Sequence, residues 1–202
     1  MDFFSGKKPT TRDFLPVKKI KEDVVILKQG GWRNILVTSS INFDLMSGEE
    51  RSAVVFQFQN FLNSLDFEIQ IVIQSRKLNV KGYVKQLEEL EKKQKNELLA
   101  MQAEEYKNFI IALSEMSNLI SKNFYIIVPF YPQKSTKEMP EEEFSRWKSQ
   151  LNLRSEYIIN GLRPIGVNTE ILREEELVEF LWSFYNPGEA KKGVIPVFPE
   201  KK

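Results

Sequence analysis

The 202-residue sequence has no cysteine and no histidine. The first absence removes disulfides, thiolate nucleophiles and cysteine-based zinc sites. The second removes imidazole acid–base chemistry and every triad built on histidine. Lack of cysteine fits a cytosolic protein. No apolar run approaches the ~20 residues that a membrane-spanning helix needs. The opening Met1-Asp2-Phe3-Phe4-Ser5-Gly6 turns polar too soon for a signal peptide. A soluble, cytoplasmic chain is expected.

Neither sign of charge is in excess, with 29 Lys and Arg against 28 Asp and Glu. A dedicated nucleic-acid binder draws affinity from phosphate neutralisation and carries a basic surplus. Nucleic acid is therefore not the expected partner. Basic density is local, in an N-terminal arm with Lys7, Lys8, Arg12, Lys18, Lys19 and Lys21, which reads as a solvated, flexible terminus.

Nucleotide motifs are missing as well. Gln133-Lys134-Ser135-Thr136 has the lysine–serine pair of a phosphate-binding loop without its glycines. Gly161 and Gly166 have the glycine spacing without the lysine, and Pro164 between them lacks an N–H donor. Asn42-Phe43-Asp44 is the one hint of an oxygen-rich metal loop and lacks the remainder. The acids sit in runs at helix starts or in a charged helix. No catalytic residue, cofactor or metal is expected, and the chain reads as a non-enzyme.

What is present describes a core. Val24-Val25-Ile26-Leu27 and Ile35-Leu36-Val37 flank Gly30-Gly31, which supplies the positive φ of a hairpin turn; the second strand is expected to reach Ile41. Ser47-Gly48-Glu49-Glu50 has the form of a capping box. It opens a helix carrying Val54, Val55, Phe58, Phe61, Leu62 and Leu65 at helical spacing and ending near Asn63-Ser64. Phe67, Ile69, Ile71 and Ile73 then alternate with more polar positions, as in a strand of a sheet covered by helices on one side. Phe124 to Phe130 reads as a further strand, with Pro129 at its end or on an edge. Pro140 followed by three glutamates starts a helix that carries Phe144, Trp147, Leu151, Tyr157 and Ile158 and stops at Gly161. A short strand, Val167 to Leu172, and a last helix from Arg173 to Asn186 complete the order.

Between Tyr83 and Tyr125 there is neither glycine nor proline. One helix from Val80 to Ile120 would run ~60 Å, against a radius of gyration of about 17 Å for a compact chain of this length. The segment either projects as one helix or breaks into two near Asn96, a suitable N-cap. Leu87, Leu90, Leu98 and Met101, on either side of its charged middle, are the candidate partner-binding residues of this arm.

These elements predict an α+β, two-layer fold. It has a mixed sheet with ferredoxin-like βαβ units, helices mainly on one face, and one very long or hairpin-like helical arm over about residues 80–120. Residues 1–20 are the arm, 21–187 a single α/β domain, and 188–202 a linker-like tail. Were the strands before Ser39 and Gln74 parallel neighbours, Asn42, Ser75 and Arg76 would share one sheet edge, with Arg76 as the contact for an anionic ligand. The competing reading makes the Ser and Asn residues caps and turn formers.

Several phrases carry a resemblance. They are Ser39-Ser40-Ile41-Asn42-Phe43, Phe61-Leu62-Asn63-Ser64-Leu65-Asp66-Phe67, Gln70-Ile71-Val72-Ile73-Gln74-Ser75-Arg76, and Asn96-Glu97-Leu98-Leu99 with Glu105-Tyr106. Asn118-Leu119-Ile120-Ser121-Lys122-Asn123-Phe124-Tyr125 and Phe184-Tyr185-Asn186-Pro187 follow in the same order. From about Thr10 to Pro187 the chain resembles the TraC-like N-terminal domain of type IV secretion (conjugation) ATPases of the VirB/TraC family, especially forms from bacteria with reduced genomes. The resemblance implies a role in conjugative DNA or protein transfer at the inner face of the cell membrane. The implied partners are membrane-embedded channel subunits, neighbouring protomers in a homo-oligomer, and an ATPase motor domain of RecA type. No phosphate-binding lysine carries over, so a non-catalytic assembly and docking role is expected. A free-standing adaptor with an anionic ligand near Arg76 is the alternative.

Overall fold

The computed structural model describes residues 15–77, 81–93, 96–116, 120–132 and 140–187. Among these lie six strands: β1 (Val17–Lys21), β2 (Val24–Leu27), β3 (Trp32–Thr38), β4 (Gln70–Lys77), β5 (Ile120–Phe130) and β6 (Thr169–Ile171). Five helices accompany them: α1 (Gly48–Ser64), α2 (Lys81–Lys93), α3 (Glu97–Met116), α4 (Glu141–Leu162) and α5 (Glu174–Tyr185). The α+β class expected from the sequence is the observed one.

Tight turns dictate the first three strands. Glu22 and Asp23 both take positive φ, 49° and 67°, the conformation a two-residue hairpin needs. Gly30, at φ 88°, turns β2 into β3, and its N–H donates to the Leu27 carbonyl at 3.0 Å. The residues assigned to a flexible arm thus include part of an edge strand: Val17–Ile20 belong to β1, which pairs antiparallel with β2. β3 stops at Thr38, three residues short of the expected end at Ile41.

The sheet order is β1-β2-β3-β5-β4, with β6 joined to β3. Along one side β3 pairs with β5 from Trp32↔Phe130 to Thr38↔Phe124. Its other side is shared end to end, β2 meeting Trp32 and Arg33 while β6 meets Leu36 to Thr38. These pairs are antiparallel, where alternating strands and helices suggest parallel crossovers; the two-residue and four-residue turns that join β1 to β2 and β2 to β3 can link only antiparallel strands.

The core forms where alternation on the strands meets a helical stripe. Val24, Ile26, Trp32, Leu36, Ile126, Val128 and Phe130 pack with Phe144, Trp147, Leu151, Ile158 and Leu162 of α4 and with Phe61 of α1. Trp32 lies with its ring centroid 5.0 Å from Phe144 and 5.8 Å from Trp147. Tyr157 falls off this stripe and is exposed, its hydroxyl donating to the Ser64 carbonyl at 3.2 Å. Burial is not confined to one face. Val25 and Ile35 project oppositely by the two-residue alternation and are also buried, as are Leu172 and Leu177. Asp23 accepts from the Glu174 N–H at 2.8 Å, tying the start of α5 to the β1–β2 turn.

At β4 the alternation slips. Phe67 and Ile69 pack against the core before the strand begins, but Ile71 and Ile73 are exposed while Val72 and Gln74 are half-buried. α4 likewise overruns its expected stop. It continues past Gly161 into a 3-10 turn, Arg163–Ile165, and ends at Gly166, whose φ of 81° supplies the left-handed cap. Gly161 serves packing instead, since a Cβ there would collide with the Phe61 ring.

The chain forms two compact units. One comprises Met1–Val72 with Phe124–Leu177, the other Ile73–Asn123 with Val178–Lys202.

Candidate docking surface

The second unit contains the glycine-free segment, and it holds two helices. Asn96 starts the second: its side-chain oxygen accepts from the Leu98 N–H and its carbonyl from the Ala100 N–H, each at 3.0 Å. That is the N-cap geometry, and it makes Asn96 the start of α3.

Helical spacing divides each helix into a lined and an open side. Val84, Leu87 and Glu91 of α2 are half-buried, as are Ala100, Ala103, Lys107, Ile110 and Ile111 of α3. Two polar contacts pin the pair. The Lys107 ammonium donates to Glu91 at 2.9 Å. The Tyr83 and Tyr106 rings meet edge to face at 6.5 Å, with the Tyr83 hydroxyl donating to that of Tyr106 at 3.3 Å. The hydrogen bond to Glu91 raises the pKa of Lys107, with the attraction of Glu91, Glu104 and Glu88 adding to it. Tyr83 is raised by its bond to Tyr106.

The other side is open and carries several large apolar side chains, with Gln102 and Glu105 exposed among them. Leu98 is 72% exposed, Met101 60%, Phe109 58% and Leu90 54%. Leu99, Tyr106 and Leu113 are also exposed. Of the four arm residues read from the sequence, Leu90, Leu98 and Met101 lie on this open side, while Leu87 is half-buried. Phe109, Leu99, Tyr106 and Leu113 are additions. The signal that could have found them is their own helical spacing, Leu99, Tyr106 and Leu113 lying seven apart with Phe109 three after Tyr106, which periodicity alone cannot separate from a buried stripe.

The polar-edge residues are not assembled in this way. β5 lies between β3 and β4, so those strands are not neighbours. Asn42 is exposed and precedes a 3-10 turn, its carbonyl accepting from the Leu45 N–H at 3.2 Å. Ser39 closes onto the lead-in to β6, its N–H donating to the Asn168 carbonyl at 2.8 Å and its hydroxyl accepting from the Asn168 N–H at 2.9 Å. Ser75 is exposed on β4 in the other unit, and the Arg76 side chain lies outside the described residues. Among the basic residues of the arm, Lys18 and Lys19 are exposed on β1, and Lys21 pairs with Glu141 at 2.8 Å. Lys7, Lys8 and Arg12, the Gln133–Thr136 stretch and the tail from 188 lie outside the described residues.

The family model of the archaeal TraC-like domain matches residues 18–187. The chain belongs to that family, which is described as archaeal, where bacterial forms are the expectation from the sequence phrases. Membership gives it a link to conjugation and secretion. No curated protein matches the chain.

Proposed function

We propose that this chain is a non-catalytic docking and assembly domain of a type IV secretion or conjugation apparatus, related to the N-terminal half of its transport ATPase. The observation that carries the reading is the open apolar side of the α2–α3 pair. Apolar surface left in water forgoes ~25 cal/mol per Å² of burial, and contiguous patches of it mark protein or membrane contacts. Glu104 lies at the edge of this side and Glu105 within it, between Met101 and Phe109, so the surface mixes apolar and charged groups as transient interfaces do. Family membership supports the choice of apparatus. The lack of a phosphate-binding loop in the sequence supports a role without turnover. No helix among the described residues is long and apolar enough to cross a membrane. On this reading, membrane-embedded channel subunits are met from the inner face, and neighbouring protomers through the same arm.

The test is reconstitution with detergent-solubilised channel subunits encoded beside this chain. Saturable binding should be lost in Leu98→Glu and Met101→Glu, both open positions whose replacement leaves the core untouched. Binding indifferent to both substitutions, or ATP hydrolysis that follows the chain through purification, contradicts the proposal.

A further inference from the structure

In the first unit a cavity of about 660 Å³ opens between the end of β5 and the first turns of α4. Its volume falls in the range of small-molecule sites. Phe130 and Tyr131 line it from the strand end; Arg146, Trp147, Gln150 and Arg154 line it from the helix. Arg146, Gln150 and Arg154 recur every four residues, so they form one row beside the buried stripe of Trp147 and Leu151. Because the stripe turns inward, the row comes to lie where the sheet stops.

The two guanidinium groups are prepared differently. Arg154 is half-buried, with its Nη1 donating to the Pro129 carbonyl at 2.7 Å. Its guanidinium lies 4.9 Å from the Phe67 ring and 5.4 Å from Phe130, which orients the planar fork and leaves further N–H donors uncommitted. Arg146 is exposed and, among the described residues, has neither a hydrogen bond nor an ion pair. Among the described residues of the lining, Glu143 is the carboxylate, and the two arginines outweigh it by one positive charge. Tyr131 offers a flat surface: the residue is 64% exposed. Arg33 holds it from one side, 4.7 Å from the ring centroid, with Nη2 donating to the hydroxyl at 2.7 Å.

We propose that this cavity binds a small phosphate monoester carried on a flat ring, of which a nucleoside monophosphate is the simplest example. Arg146, Arg154 and the Gln150 amide donate to the phosphate oxygens, the planar fork matching phosphate geometry. Tyr131 stacks the ring, and Glu143 accepts from hydroxyl or amino groups of the ligand body. Binding without turnover is the content of this inference, and it is independent of the docking surface.

The experiment is calorimetric and ¹⁵N NMR titration of the full chain with AMP, ribose 5-phosphate and inorganic phosphate. Saturable AMP binding is expected, with shifts confined to residues 130–132 and 143–154. Ribose 5-phosphate should bind more weakly and inorganic phosphate most weakly. Arg146→Gln should weaken AMP by about tenfold or more, since a charge-assisted hydrogen bond is lost. Its exposure makes a folding defect no competing explanation, and Tyr131→Leu provides a second variant, with ring stacking lost. No saturable response at millimolar AMP, wild-type affinity in Arg146→Gln, or ribose 5-phosphate binding as tightly as AMP would each overturn the proposal.

Discussion

Gly161→Ala should destabilise this protein, although the same change in an ordinary helix stabilises. Gly161 lies inside α4, and replacing a mid-helix glycine by alanine gains about 0.5–1 kcal/mol, largely from unfolded-chain entropy. Here the added Cβ would overlap the edge of the Phe61 ring. Phe61 is only 6% exposed and lies 6.1 Å from Phe58, so it cannot swing out without opening the contact between α1 and α4. Forcing a methyl group into such a contact costs ~1–3 kcal/mol. The collision outweighs the entropic gain through most of these ranges, leaving a net loss of about 1 kcal/mol at their middle. For a chain of this length that lowers the melting temperature by about 2–4 °C per kcal/mol. Gly48→Ala is the control, since nothing lies within 4 Å of a Cβ at that first position of α1. It should be neutral or stabilising. Phe61→Leu combined with Gly161→Ala should be less damaging than the sum of the two, because the smaller side chain leaves room for the methyl. Urea unfolding followed by the fluorescence of Trp32 and Trp147, both in the same core, reads the parent, the three single variants and the double variant. A Gly161→Ala protein as stable as the parent, or a strictly additive double variant, refutes the reasoning.

Two further outcomes follow from local chemistry. The Ser47 N–H donates to the Glu50 carboxylate at 2.8 Å while the Ser47 hydroxyl accepts from the Glu50 N–H at 3.3 Å. The first bond chiefly, and the hydroxyl after it, hold the Glu50 pKa below its ordinary 4.5. The stabilisation is therefore complete above that ordinary value and lost as pH falls through the lower folded value. NMR titration should place the Glu50 midpoint below 4.5, with amide exchange in the first turn of α1 rising through the same window; a midpoint at or above 4.5 contradicts the cap. At the other cap, Asn96→Ala should weaken the start of α3 by about 1 kcal/mol. Exchange at Leu98 and Ala100 should speed up, and unchanged protection there would show that α3 begins without help from Asn96.

Much of this molecule was legible in one dimension because its signals are local. The Ser47–Glu50 spacing, the Gly30-Gly31 turn and the suitability of Asn96 as a cap all act within one helical turn or one hairpin, and each occurs where expected. The apolar stripe through Phe144, Trp147, Leu151 and Ile158 likewise identified the buried face of α4, because a period of 3.6 admits one inward side. Conformational limits misled only where two segments meet. Gly161 reads as a helix stop until Phe61, a hundred residues earlier in the chain, is seen to require the missing Cβ, while Gly166 takes the left-handed turn.

Sequence by itself thus determined the element types, the helix starts outside the 80–120 segment, the inward stripe and the absence of thiol, imidazole and phosphate-loop chemistry. Only the tertiary structure decided three things. It separated β3 from β4 by inserting β5, and so divided residues that the chain order brings together on paper. It left Leu98, Met101 and Phe109 in solvent although their spacing is that of a buried stripe. It placed Arg146 and Arg154 against the aromatic end of β5. The physical reason is common to all three. Periodicity states which side chains share a face, but what covers that face depends on segments distant in sequence, and neither hydrophobic burial nor charge pairing is a local property.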